Sequence, residues 1–195
     1  MRALRVAPVV VAVLLGGALA WWSTASSLRD GGVPSADISR VSHSIEFFEG
    51  RLAADPQNYL VLQKLIDRYV HRFALAADLM DVARADALAR ELVKRGPDTV
   101  TALSRQATIL LMQHRFAEAF VAASHAVAYD STDLDALGAM YDAALAGGNY
   151  GAAEWALERL PGNALETLVR RAYWAEGMGD GATASRSFGR VCRQL

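Results

Sequence analysis

Cysteine is nearly absent from this 195-residue chain, and Cys192 stands alone. A single thiol closes no internal disulfide and builds no cysteine metal cluster. Its expected role is that of a small buried apolar residue on the last helix. Proline is scarce, with five residues, so the usual interruptions of helices are few. Charge of one sign is not in excess either: the formal net charge is -1. No basic excess is there to neutralise a phosphate backbone, so nucleic acid is not an expected partner. Apolar residues make up 53% and charged residues 21%, which is the balance of a chain that packs a core. No stretch alternates with period two long enough to argue a strand.

Chemical motifs are missing as well. The histidines are His43, His71, His114 and His125, and none shares metal-ligand spacing with a carboxylate or cysteine. His71 lies four residues after Asp67, the spacing of a local helical pair. Gly177-Met178-Gly179-Asp180-Gly181 is glycine-rich but lacks the Lys-Ser/Thr of a phosphate loop. No Gly-x-Ser-x-Gly elbow occurs. The expectation is no enzyme, no cofactor and no metal.

One long apolar run is present. Arg2 and Arg5 precede an uncharged stretch from Val6 to Leu28, whose strongly apolar part is Val6 to Trp22. As a helix that part would span roughly 25 Å, and Ser23 to Leu28 would complete a ~30 Å crossing. Two readings stay open: an uncleaved transmembrane anchor, or a signal peptide cut near Ala18-Leu19-Ala20 or Ser23-Thr24-Ala25. Both put the body on the exported side, because the arginines precede the run. The expected locations are a bacterial inner membrane with the body in the periplasm, or a secreted or periplasmic protein. Residues 1–28 form this segment, 29–37 a linker of turn-forming residues, and 38–195 the body.

The body repeats. Leu137, Met140, Tyr141 and Ala144 form an i, i+3, i+4, i+7 stripe. The turn Gly147-Gly148-Asn149-Tyr150 follows, then Ala153, Leu157 and Leu160. One window earlier, Leu103, Ala107 and Leu110 precede His114-Arg115-Phe116, and Ala119, Ala123 and Ala126 follow. Phe116 to Tyr150 is a period of 34 residues. The last window has Leu168, Ala172 and Ala175, the turn Gly179-Asp180-Gly181, then Ala184, Phe188 and Val191. The earliest runs from Pro56 to Pro97 and is about seven residues too long. It carries Leu62, Leu65, Ile66 and Tyr69, then Ala85, Ala89 and Leu92, and its excess falls around Phe73 to Met80. Val41, Ile45, Phe48 and Leu52 mark one more amphipathic helix that caps the stack. Asp98, Asp133 and Asn163 are expected helix N-caps, Asn163 pairing with Glu166 as a capping box.

Turn residues, an aromatic two later, alanine three beyond that, and Asp-Pro or Gly-Pro between units resemble tetratricopeptide repeats. The resemblance covers Tyr59 to Cys192. Leu62, Leu103, Leu137 and Leu168 occupy the positions of the consensus tryptophan. It implies an all-α, tetratricopeptide-like α-solenoid, with a capping helix at 38–56 and repeats at 57–99, 100–133, 134–162 and 163–195. The order of Ile45-Glu46-Phe47-Phe48 and then Asp55-Pro56 is similar to bacterial membrane-anchored or periplasmic members of that family.

The resemblance also implies a function. The first helices of such repeats line a groove that holds a protein or peptide partner. Gln63, Asp67, His71, Ser104, Thr108, Met112, Asp135, Asp142, Val169, Tyr173 and Glu176 match those positions. Their acidic tilt favours a partner carrying Lys or Arg. The Lys, Arg and Asn set that clamps a C-terminal carboxylate in some members is missing here. The expected function is a non-catalytic scaffold or assembly factor on the extracytoplasmic side. The alternative is a structural, self-associating subunit of a cell-envelope complex. Either would touch the membrane through residues 6–28 if that segment is retained.

Overall fold

The computed structural model describes residues 35–96 and 99–194. The expected anchor or signal helix, most of the linker and the expected cap Asp98 lie outside them. Among the described residues there is no strand, and no helix is long and apolar enough to cross a membrane. The helices are α1 (Ser35–Ala54), α2 (Tyr59–Ala76), α3 (Leu79–Arg95), α4 (Thr99–Met112), α5 (Phe116–Tyr129), α6 (Leu134–Ala146), α7 (Tyr150–Arg159), α8 (Leu165–Gly177) and α9 (Gly181–Val191). They fall into two compact units, 35–156 and 157–194, whose boundary lies within α7.

In the first unit each helix packs on its successor from α1 to α6, and α4 also packs on α6. One core gathers Val41, Ile45, Leu62, Leu65, Ile66, Tyr69, Val82, Ala85, Ala89 and Leu92 from α1, α2 and α3. A second is built largely of alanine: Ala107, Ala119, Ala122, Ala123, Ala139 and Ala143. Side chains that short let helix axes approach closely, so burial is complete without bulky residues. In the second unit α8 packs on α9, and Leu168, Ala172, Ala175 and Ala184 are buried.

Local chemistry explains where the helices start and stop. Asn58, Asp78, Asp133 and Asp180 each accept a backbone N–H of their first turn, at 3.2, 2.9, 2.7 and 3.0 Å. This satisfies donors that the helix cannot pair itself. Asn149 does the same for Ala152 at 3.2 Å. Between α4 and α5 the left-handed position is taken by His114 at φ 58°, and between α2 and α3 by Ala77 at φ 54°. Both are unusual for residues with a Cβ. The excess length of the first hairpin lies in its helices. α2 and α3 have 18 and 17 residues, against 14 each in α4 and α5.

Three expectations are corrected. α1 begins at Ser35, not at 38; His43 lies inside it, with its Nδ1 2.8 Å from the Ser39 carbonyl. α8 is entered through Ala164 with no side-chain cap. A turn from Ala164 N–H to the Pro161 carbonyl places Asn163 one residue too early for the proposed box. Cys192 lies just past the end of α9 and is exposed, not buried.

Candidate functional site

The first helices of the first unit are α2, α4 and α6, and the groove candidates on them divide sharply by environment. Gln63 is turned inward, and its Nε2 is buried without a hydrogen-bond partner. Ser104 is 3% exposed and donates to Asp133 Oδ1 at 3.1 Å. These two correct the expectation of groove-facing side chains. Both are taken into the packed interior, and Ser104 fastens α4 to the N-cap of α6. Met112 is half-buried against the first core.

Asp67 does not pair with His71. It receives Arg105 Nε at 2.9 Å and Nη2 at 3.2 Å. This two-pronged ion pair joins α2 to α4. Its members stay partly open to solvent, at 34% and 24% side-chain exposure. Thr108 is exposed, and its hydroxyl donates back to the Ser104 carbonyl at 3.1 Å. His71 and Asp135 are exposed, and Asp142 is half-buried. The structure therefore leaves Asp67, His71, Thr108, Asp135 and Asp142 with access to solvent on three successive first helices. Val169, Tyr173 and Glu176 belong to the second unit. Val169 and Tyr173 are half-buried, the Tyr173 ring lies edge-on to Phe188 at 5.5 Å, and Glu176 is exposed.

Arg105 was not among the expected residues. The signal that could have found it is an opposite charge on the next first helix, 38 residues after Asp67. Also unforeseen is an open cleft of about 360 Å³ along the α1–α2 seam, lined by Asp37, Arg40, Val41, Ser44, Arg68, His71 and Leu75. Arg68 Nε is buried there without a hydrogen-bond partner.

A polar network fastens the long first hairpin. Asp81 is fully buried and accepts Arg72 Nε at 2.8 Å and Nη2 at 2.6 Å. Arg84 approaches it at 3.6 Å. Arg72 Nη1 lies 3.3 Å from Ser42 Oγ on α1, and both guanidinium groups lie over the Tyr69 ring at 5.6 and 5.7 Å. The Tyr69 hydroxyl donates to Glu49. Burial, and then that carboxylate, push the Tyr69 phenol up to about 12. The contact to Asp81 holds the Arg72 guanidinium above its ordinary value. These groups lock α1, α2 and α3 together. Among the described residues no group of three or more His, Cys, Asp or Glu side chains is placed to hold a metal ion.

Successive helix pairs with alanine-lined contacts and turns about 34 residues apart define the fold: a helical repeat of the tetratricopeptide-like kind. Solved structures agree. The MamA 41-end structure from Desulfovibrio magneticus RS-1 aligns over 90% of this chain and 93% of its own, with a TM-score of 0.61 and 14% identity. A crystal structure of MamA aligns over 78% of this chain and 87% of its own, with a TM-score of 0.59 and 19% identity. A tetratricopeptide repeat protein from Parabacteroides merdae ATCC 43184 aligns over 89% of this chain and 65% of its own, with a TM-score of 0.59 and 13% identity. At these identities the likeness is one of fold. No family model matches the chain, and no curated protein matches it.

Proposed function

We propose that the chain is a non-catalytic interaction scaffold or assembly factor that holds a protein or peptide partner against its first helices. One observation carries this reading: α2, α4 and α6 keep solvent-accessible polar side chains while their other faces are packed into the buried cores. The packing makes a rigid frame, and the polar row offers hydrogen-bonding groups with no chemistry of their own. Its exposed acid Asp135 favours a partner carrying Lys or Arg. Asp67 contributes less to that preference, because Arg105 already neutralises it. Repeat folds of this type generally act by binding.

The apolar run at 6–28, preceded by Arg2 and Arg5, supports a tether with the repeats on the exported side. Fixing the scaffold at the membrane would raise the effective concentration of its partner. A pull-down from detergent-solubilised membranes tests the reading. It should recover a second polypeptide in stable proportion, and reproducible recovery of this chain alone would sink it.

That second outcome would favour a self-associating subunit of a cell-envelope complex. One observation leans that way: Val121 and Tyr129, eight residues apart on α5, are both exposed, with Leu134 following at the start of α6.

A further inference from the structure

The excess length of the first hairpin ends in an apolar tip. Leu79 is 75% exposed and Met80 58% exposed. Ala74, Ala76 and Ala77 beside them are exposed too. α2 and α3 exceed α4 and α5 by three or four residues each, about one helical turn. The exposure of 76–80 puts that extra turn at the α2–α3 junction. An exposed, adjacent Leu-Met pair is an unusual way to end a hairpin in water, where polar residues are the rule. Nothing in the core requires it, since neither side chain contributes to the buried clusters.

The chain entry lies at the same end. α1 runs antiparallel to α2, as the pairings Tyr69 with Glu49 and Arg72 with Ser42 require. Asp37 and Arg40, near the start of α1, therefore share a cleft with His71 and Leu75, near the end of α2. Leu79 follows Leu75 by four residues. The apolar run ends at Leu28, so only residues 29–34 separate it from α1. Six residues reach at most ~20 Å. A bilayer entered by residues 6–28 would lie within that distance of the α1 start, and the tip stands beside that start.

We propose that Leu79 and Met80 rest in the interfacial layer of the membrane that residues 6–28 enter. The inference rests on the tether reading above and adds a second point of contact. Two contacts orient a body that one tether alone leaves free to turn, so the first helices keep a fixed bearing to the bilayer. The contact is shallow. Asp78 at the tip caps α3 with its carboxylate and stays exposed, which holds the tip at the headgroup boundary. The lipid surface is favoured over a second copy of the chain because the tip lies beside the point where the apolar run joins the body.

The test uses the full chain with Cys192→Ser, carrying either Leu79→Cys or Val121→Cys. Each is labelled with an environment-sensitive fluorophore and reconstituted into phosphatidylcholine vesicles containing a headgroup-nitroxide lipid. Val121 is an exposed apolar control on α5, and matching melting curves establish that both variants fold. The Leu79 probe should be quenched several times more strongly than the Val121 probe. Weak quenching at both positions, with the chain floating with the vesicles, overturns the tip contact and leaves the tether standing. Strong and equal quenching at both overturns it too, because the body then lies unspecifically on the lipid. A Leu79 probe shielded from water but not quenched points to a protein cover and also overturns it. Recovery of the chain in the aqueous fraction overturns both the tip contact and the tether.

Discussion

Asp67 on α2 and Arg105 on α4 form a two-pronged ion pair between consecutive first helices, with N···O distances of 2.9 and 3.2 Å. It ties the two helices together across consecutive repeats, and on the proposed scaffold reading it neutralises one acid among the side chains offered to a partner. Both side chains keep some solvent exposure, so the coupling should be modest. A double-mutant cycle with Asp67→Ala and Arg105→Ala, read by urea unfolding, should return roughly 0.5–1 kcal/mol and shrink in high salt. A coupling near zero at low salt would mean that the pair does not tie the two helices together.

The Asp81 carboxylate is a different case, because it is fully buried under Arg72. Asp81→Ala leaves the Arg72 guanidinium without its main partner inside the hairpin. The expected loss is about 3–5 kcal/mol in chemical unfolding. Arg84→Ala removes the more distant, half-exposed contact and should cost under about 1 kcal/mol. Equal costs would show that the network is not centred on Arg72 and Asp81.

Tyr69 predicts an alkaline weakness. Its folded value lies near 12, above the ordinary 10.0, so the folded state holds the phenolic proton more tightly than the unfolded chain does. The stabilisation is complete below pH 10.0 and is lost as pH rises toward about 12. Its full size is on the order of 2 kcal/mol. Wild type should therefore lose melting temperature between pH 9 and pH 11.5 faster than Tyr69→Phe, which has no such proton. Parallel curves for the two proteins would contradict the assignment.

Ala119 is fully buried within the alanine core of α4, α5 and α6. Ala119→Leu adds methylenes where the helices approach closely, and should destabilise by roughly 1–3 kcal/mol. Unchanged melting would argue against the repeat register itself.

The register was legible because helical periodicity and alanine spacing respond directly to burial. The alanines picked out at 119, 123, 126 and 153 are all fully buried, and Asp133 caps α6 as expected. The groove was less legible, because a first helix faces both solvent and its neighbouring unit. Gln63 and Ser104 have the polarity of surface residues, yet both are buried, Ser104 against the N-cap residue of α6. Asp67 illustrates the same limit. A spacing of four made His71 its local partner, while the partner observed lies 38 residues on. Cys192 and Asn163 failed for a local reason: a shift of one residue at a helix end moves a side chain from the core or the cap into solvent.

The central claim is that the first helices hold a partner, and site-specific photo-cross-linking in intact cells tests it most directly. A photoreactive side chain at Thr108, exposed on α4, is compared with one at His125, exposed on the second helix α5. The account predicts a cross-link from position 108 to a distinct polypeptide, and much less from position 125. Cross-links to this chain alone, or equal yields from both positions, would contradict it.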